Sequence, residues 1–213
     1  MNAYKTPTKE TYDGLDRAFH FFNGELFGHR LPAPMITLQR KRGARGYFHA
    51  EQFTNAEQSE RLHEIAMNPE SMGRTLPEVL STLVHEMTHL EQQEYGTPGK
   101  GGHHNREWGS LMDRVGLTPT STGEPGGART GKKVTHMIVE DGLFANSCAQ
   151  LMADGFELPW FTEGGAAAGA KASVKDKSKV KHVCPACEAR AWAKAGSNLM
   201  CGDCQETMEA EEQ

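Results

Sequence analysis

The sequence predicts an α+β fold followed by a small cysteine-rich module. Apolar residues near the N-terminus recur at helical spacing, three short segments of strand character follow, and a long, well-capped helical pattern comes after them. An early helix, a group of strands and a later long helix are typical of the α+β class. Four of the five cysteines form two CxxC pairs near the C-terminus, and they set the last module apart.

The first predicted helix covers residues 11–28. Its apolar residues follow a 3-4-3-4 spacing, which places them on one helical face: Tyr12, Leu15, Phe19, Phe22 and Leu26. Pro32 and Pro34 end the pattern because proline cannot continue a helix. The segments of strand character that follow, with a turn at Gly43 and Gly46, are Met35–Lys41, Tyr47–Phe53 and Arg61–Asn68.

A capping box marks the start of the long helix. The Thr75 hydroxyl can meet the amide three residues on, and the Glu78 side chain can reach back. Gly96 is the predicted stop. The apolar residues between them keep helical spacing: Val79, Leu80, Leu83, Val84, Met87 and Leu90. A further helix is predicted from about His104, with Trp108 on its apolar face.

The remaining chain divides by composition. Residues 118–133 are rich in Gly, Thr and Pro and predict a loop, Val134–Val139 predicts a strand, and a short helix follows around Cys148. The predicted domains are a first domain over 1–163 (core about 12–117, extension 134–163), a basic flexible linker over 164–182, a cysteine module over 183–207 and an acidic tail over 208–213.

Composition limits the function classes. The net charge of −5 excludes a uniformly basic nucleic-acid coat protein. The N-terminus shows no apolar signal region, and no apolar run reaches the length of a membrane span. Paired CxxC motifs in such a chain favour metal binding in a reducing compartment over a disulfide framework. We therefore expect a cytoplasmic or nucleoid-associated protein without a membrane partner. The fifth cysteine, Cys148, lies on an apolar stripe and is expected to be inert.

The motif His85-Glu86-Met87-Thr88-His89 lies inside the long predicted helix. Histidines at i and i+4 project from one helical face, so two imidazoles can bind one zinc ion. Glu86 between them can deprotonate a zinc-bound water and act as a general base. The third ligand of such a site is His103 or His104, which the glycine-rich segment Pro98–Gly102 can turn back towards the helix.

The sequence resembles the SprT-like (Spartan-type) zinc metalloproteases. The resemblance is carried by HEMTH followed at the family's distance by His104-Asn105-Arg106-Glu107-Trp108, and by the opening segment Phe22–Phe27 with Leu31-Pro32. It covers residues 12–117 well and extends more weakly to Gly155–Trp160 and to the cysteine module over 183–207, which resembles a zinc ribbon.

This resemblance implies a zincin-like fold, with His85, His89 and His104 as ligands of a catalytic zinc and Glu86 as the catalytic base. It also implies a protein substrate associated with DNA or crosslinked to it. Glu107 is either a partner of a ligand histidine or an exposed helix charge.

The second constellation pairs Cys184 and Cys187 with Cys201 and Cys204. Each CxxC places two thiolates on one tight turn, and two such turns complete a tetrahedral site for a structural zinc. The module is too small to fold on its own core, so metal binding must supply folding energy. The lysines from Lys171 to Lys181 and Trp192 indicate a possible DNA contact, although a solvated linker and packing across the ribbon are equally simple interpretations.

The sequence therefore predicts a zinc-dependent endopeptidase with one catalytic and one structural zinc and no organic cofactor. The alternative is a zinc-bearing DNA-binding or regulatory module without peptidase activity. A general protease with no DNA dependence is a third candidate. A basic cluster next to the first strand could bind DNA or an acidic substrate, although an exposed group of charges on a hairpin is the more common case: Arg40, Lys41, Arg42 and Arg45. His136 and the other histidines without ligand-like spacing are expected to be ordinary side chains.

Overall fold

The computed structural model describes residues 6–162, 180–194 and 196–210. The chain divides into two compact units, Met1–Gly169 and Ala170–Gln213, and each is described by itself. Most of the predicted linker, 164–182, lies outside the described residues. None of the helices among the described residues is long and apolar enough to cross a membrane.

Helix α1 spans Pro7–Phe27, so it begins before the predicted position. Proline is favoured at the first helical position, because the N–H that it lacks would have no partner within the helix there. Four of the five predicted apolar residues are buried, from Leu15 to Leu26. Tyr12 is the exception and stays 38% exposed. The helix ends at Gly28, which adopts the left-handed conformation with φ 61°.

A three-stranded sheet follows α1 and confirms the predicted strands. Its strands are β1 (Met35–Leu38), β2 (Gly46–Thr54) and β3 (Arg61–Met67). The spatial order is β1-β3-β2, with β1 parallel and β2 antiparallel to β3. A bulge interrupts the β2–β3 register between His49 and Phe53. Because β3 is the central strand, β2 lies at an edge of this sheet.

Helix α2 spans Leu76–Tyr95, after a 3-10 turn at Pro69–Ser71. The Glu78 carboxylate reaches back as predicted: it accepts hydrogen bonds from the Thr75 N–H at 3.0 Å and the Thr75 hydroxyl at 2.6 Å. The helix ends before Gly96, whose backbone is extended rather than left-handed. Its apolar face joins α1 and β3 in one core.

Helix α3 (Arg106–Arg114) leads into β4 (Leu117–Thr120), which pairs antiparallel with β5 (Thr135–Ile138). The prediction of a loop over 118–133 is wrong at its start, because residues 118–120 belong to β4. The rest of that segment crosses from β4 to β5. Helix α4 (Leu143–Ala153) follows and buries Phe144 and Cys148.

The second unit is a small antiparallel sheet of order β7-β6-β8. Its strands are β6 (Val180–Val183), β7 (Arg190–Ala193) and β8 (Glu209–Ala210). Strand β6 begins within the segment predicted as linker, and β8 lies in the predicted acidic tail. Two residues of β8 pair with His182 and Val183, so this unit uses chain on both sides of the predicted module.

Candidate metal centres

Three histidines come together at the inner face of α2. His85 and His89 lie one turn apart on this helix, with ring centroids separated by 5.2 Å. His104, just before α3, brings its ring to 5.5 Å from His85 and 4.8 Å from His89. One possible ligand atom from each residue lies within 4.8 Å of the other two. The donor set therefore suits a single metal ion bound by three imidazoles.

Trp108 supports all three rings. Its indole lies 4.9 Å from the His85 ring, 5.0 Å from His89 and 4.2 Å from His104, measured between centroids. The indole is fully buried and stacks nearly parallel to His89, at 19°. Because aromatic rings packed this closely restrict one another, Trp108 fixes the orientation of the histidines.

The crossing from β4 to β5 holds His104 in place. The backbones of His104 and Gly131 exchange two hydrogen bonds, of 2.9 and 3.0 Å. The Gly131 carbonyl also accepts a hydrogen bond from His104 Nδ1 at 2.9 Å. A carbonyl can only accept, so the His104 ring carries its hydrogen on Nδ1 and keeps the lone pair of Nε2. Gly131 has φ 130°, a conformation that favours glycine.

The connection between α2 and α3 is locked by polar side chains. Asn105 caps α3, and its Oδ1 accepts hydrogen bonds from the Trp108 N–H and the Gln92 side chain. Glu107 accepts hydrogen bonds from Gln92 and from the Thr97 N–H at 2.7 Å. Glu107 is exposed on α3, in agreement with one of its two predicted roles, and its carboxylate binds this connection instead of a ligand histidine. This connection places His104 next to His85 and His89 of α2.

Glu86 is buried beside the strand β2. Only 5% of it is exposed, and the Phe48 backbone N–H donates to its carboxylate. Burial raises the pKa of Glu86 to about 8, and the Lys41 charge and the Phe48 hydrogen bond oppose this shift. Without a bound cation, this carboxyl group is therefore largely protonated at neutral pH.

The three histidines are neutral at pH 7. Burial lowers the pKa of His89 to about 3 and lowers the pKa values of His85 and His104 as well, with the neighbouring rings adding to the effect for His85 and His89. Neutral imidazoles are the form that binds metal ions. The site is thus prepared for a cation and disfavours protons.

His136 on β5 is a fourth histidine at this site, although its sequence context predicts only an ordinary side chain. Its Nδ1 lies 3.0 Å from Nδ1 of His85, and its Nε2 lies 2.8 Å from the Ser81 hydroxyl. Burial and the charges of Arg45 and Arg74 lower its pKa to about 4. Strand pairing brings it here, since His136 lies opposite Pro119 of β4. A histidine in a predicted strand, directly after a glycine-rich loop, is the one signal that the sequence offers.

The comparison with protein families agrees with this geometry. The model of the SprT-like family matches residues 15–127, which is more than half of the chain. The chain belongs to the SprT-like family. The SprT-like match includes Glu86 and the three clustered histidines and ends before His136 and the cysteines.

Among curated proteins, an uncharacterized protein in the mucB 3′ region of Salmonella typhimurium is 44% identical over 63 residues. That alignment covers 30% of this chain and 85% of the Salmonella protein. No solved structure is a significant match.

The second group of candidate ligands lies beyond the SprT-like match. Cys184, Cys187, Cys201 and Cys204 place their sulfur atoms within 4.8 Å of one another. The two CxxC turns are built alike: the Glu188 N–H donates to the Cys184 carbonyl, and the Gln205 N–H donates to the Cys201 carbonyl. In both turns the donor residue has a positive φ, of 59° and 53°. Four sulfurs on two matched turns suit a tetrahedral metal ion.

The thiols of this group compete for ionisation. Hydrogen bonds from the backbone of Cys204 and Asp203 lower the pKa of Cys201 to about 7. The hydrogen bond with Cys187 is the main cause that raises the pKa of Cys204 to about 12. Without a cation, thiolates this close repel one another. A bound dication is therefore needed for all four to ionise together.

The other residues singled out in the sequence have different surroundings. Cys148 is buried, and burial raises the pKa of its thiol to about 11, which fits an inert core residue. His103 is exposed and lies outside the two groups of candidate ligands found among the described residues. Trp192 on β7 is 60% exposed, so it does not serve as a packing residue within its sheet.

Proposed function

We propose that the chain is a zinc-dependent endopeptidase whose catalytic zinc is held by His85, His89 and His104. The observation that carries this proposal is the convergence of three neutral imidazoles, together with the buried carboxyl group of Glu86, the residue that follows His85 in the chain. Three protein ligands leave one position of a tetrahedral zinc open, which is the catalytic arrangement. Membership of the SprT-like family supports the same function.

Glu86 is the general base in this proposal. When bound, zinc lowers the pKa of a water molecule and polarises the scissile carbonyl. The Glu86 carboxylate accepts the proton of the attacking water and passes it to the leaving amine. The Phe48 N–H holds the carboxylate in position. Metal binding by the neighbouring histidines favours the ionised form of Glu86, because opposite charges attract.

A second zinc is proposed for the four cysteines. Their sulfurs form a closed set of four donors, which is typical of structural sites. The second unit buries few apolar residues, so its fold depends on the energy of metal binding. We expect two zinc ions for each chain.

The proposed substrates are proteins bound to DNA or crosslinked to it, in the cytoplasm or at the nucleoid. This proposal rests on the family resemblance and on the surface of the second unit. There the exposed Trp192 lies opposite Lys181 in the β6–β7 register, with Arg190 on the same strand. An exposed indole among basic side chains can stack on an unpaired base. The lysines from Lys171 onwards would extend this contact.

The test is cleavage of a DNA-binding protein with no DNA, with single-stranded DNA and with duplex DNA. Wild type is compared with Glu86→Gln and with the control Glu64→Gln. Glu64 is also buried, but its carboxylate accepts hydrogen bonds from the side chains of Thr37 on β1 and Tyr47 on β2. We expect both variants to bind two zinc ions and only Glu86→Gln to lose cleavage.

The DNA arm separates the remaining candidates. Cleavage that requires DNA and falls in Trp192→Ala supports the DNA-associated substrate. Cleavage without DNA leaves a general protease. A zinc-loaded wild type that binds DNA and cleaves nothing contradicts the peptidase and favours the DNA-binding module.

A further inference from the structure

A line of hydrogen bonds connects the backbone of α2 to one of its own histidines through β5. The Ser81 hydroxyl donates to the Glu78 carbonyl at 3.0 Å. His136 Nε2 lies 2.8 Å from the same hydroxyl. On the other side of the His136 ring, Nδ1 lies 3.0 Å from His85 Nδ1. Ser81 and His85 are both buried, so water does not compete freely for these bonds.

The direction of each bond follows from the one before it. A carbonyl can only accept, so the Ser81 hydroxyl donates its one hydrogen to the Glu78 carbonyl. The Ser81 oxygen must then accept from His136, which places the hydrogen of the neutral His136 ring on Nε2. The lone pair of His136 is thereby on Nδ1, and His85 must donate its Nδ1 hydrogen to it. The remaining nitrogen of His85, Nε2, keeps its lone pair.

His104 reaches the same state by a different route. Its Nδ1 donates to the Gly131 carbonyl, so its Nε2 also keeps a lone pair. Both partners come from the chain between α3 and α4: Gly131 from the loop and His136 from β5. In metal sites, the partner of the second ring nitrogen fixes the tautomer and the ring orientation of a ligand histidine.

We propose that His136 is a positioning residue that accepts a hydrogen bond from His85 Nδ1 and so holds the His85 tautomer that presents Nε2 to a metal ion. This inference rests on the proposed function in so far as His85 is a zinc ligand. It assigns His136 no contact with the metal, because both of its ring nitrogens are engaged by Ser81 and His85. The relay, which we define as the hydrogen-bonded series Ser81, His136 and His85, thus sets the His85 tautomer before a metal ion binds.

The first test is the zinc affinity of the histidine site in the full chain, measured by competition with a chelator. His136→Leu removes the acceptor and keeps volume, whereas His136→Asn keeps an acceptor close to the position of Nδ1. We expect His136→Leu to weaken zinc binding about 10- to 100-fold and His136→Asn to restore most of it. The control is His63→Leu, which removes another histidine with two hydrogen bonds, to Glu94 and the Glu51 N–H. It should leave zinc affinity unchanged.

The second test reads the tautomers directly from two-bond ¹⁵N–¹H spectra of the histidine rings in the metal-free full chain. Wild type should show a hydrogen on Nδ1 of His85 and on Nε2 of His136. In His136→Leu the His85 signal should become a mixture of tautomers. Ser81→Ala leaves both rings in place and should shift the His136 tautomer, with a smaller loss of zinc affinity than His136→Leu. This variant keeps the proposal testable if His136→Leu fails to fold.

Three results would overturn the proposal. One is unchanged zinc affinity in both His136→Leu and Ser81→Ala. Another is an Asn variant as weak as the Leu variant with its His85 tautomer intact, which would make His136 itself a ligand. The third is a wild-type spectrum with the His85 hydrogen on Nε2. If wild type binds no zinc at the histidines, the proposed function fails, and the spectra still decide the relay.

Discussion

Replacing Glu86 by Gln should make the metal-free protein more stable, by an amount that grows with pH. Burial raises the pKa of Glu86 from 4.5 to about 8 in the folded chain. Between these values the folded state holds a proton that the unfolded state has released. The contribution of Glu86 to stability therefore falls as pH rises through this range and levels off above about 8. Glutamine has a similar volume and no proton to lose, so Glu86→Gln escapes this loss.

The magnitude follows from the linkage of pKa and stability. One pH unit within the shifted range corresponds to about 1.4 kcal/mol. From pH 5.5 to pH 7.5, the difference in unfolding free energy between Glu86→Gln and wild type should grow by about 2–3 kcal/mol. The buried histidines titrate in this range only in the unfolded state, because their pKa values are lowered in the folded protein. They are present in both proteins, so their contribution cancels in the difference.

Urea unfolding of the two metal-free proteins at both pH values measures this effect. The fluorescence of the buried Trp108 reports on the first unit. Adding zinc should remove most of the pH dependence of the difference, because a cation favours the ionised carboxylate. Zinc binding at pH 7 should then release about one proton more from wild type than from Glu86→Gln. An equal stability difference at pH 5.5 and 7.5 would refute the argument, since it would mean that Glu86 is already ionised without metal.

Three further changes test the packing around the two candidate sites. In Gly46→Ala, the new Cβ would lie 2.9 Å from the Ala66 carbonyl oxygen and 3.2 Å from Glu86 Oε1. We therefore expect the free energy of unfolding to fall by about 1–3 kcal/mol and peptide cleavage to be reduced. Urea unfolding and a peptidase assay measure the two effects. Trp108→Ala should lower the free energy of unfolding by about 3–5 kcal/mol and weaken zinc binding. Trp108→Phe should lower it less, because the indole N–H has no hydrogen-bond partner among the described residues. Thermal unfolding compares the two variants. Cys201→Ser should lower the zinc content from two ions to one and unfold the second unit alone, which metal analysis and NMR spectra would show; retention of both ions would contradict it.

The parts of the histidine site that sequence predicts best are those with short spacing. His85, Glu86 and His89 occupy one turn of a helix whose start is marked by its capping residues, so spacing converts directly into distance. His104 follows after a short connection and precedes the helix that carries Trp108. These relations are set by nearby residues and do not depend on how distant parts of the chain pair.

The parts that the sequence misses depend on strand pairing. Strand β4 contains Pro119, and a proline argues against a strand unless the strand lies at a sheet edge. Among the residues that the structure describes, the sheet formed by β4 and β5 has two strands, so each is an edge and proline is tolerated. Missing β4 also hides His136, because its position next to α2 follows from the pairing of the two strands. A partner 51 residues away from His85 leaves no spacing to recognise.

The second unit shows the same limit at a smaller scale. Its four cysteines are recognisable because a CxxC turn is a local structure. The two residues of β8 carry no strand pattern, and they pair with β6 across an interval that contains both turns. Such a pairing is formed by the folded ribbon and not by local preference. The sequence therefore predicts the ligands of this unit better than its strands.

The position of Trp108 explains why the candidate histidine site and the core of the protein cannot be separated. The indole contacts the rings of the three histidines, and Trp108 belongs to the same buried cluster as Leu83 and Met87 of α2. The apolar spacing of α2 alternates with its HExxH spacing, so the helix directs its apolar and metal-binding side chains to neighbouring faces. Burial then does two things together: it stabilises the helix against α1, and it keeps the imidazoles neutral. A chain that folds correctly thus presents unprotonated nitrogens. In the proposed site, the hydrogen bonds of Gly131 and His136 need only select which nitrogen faces the metal.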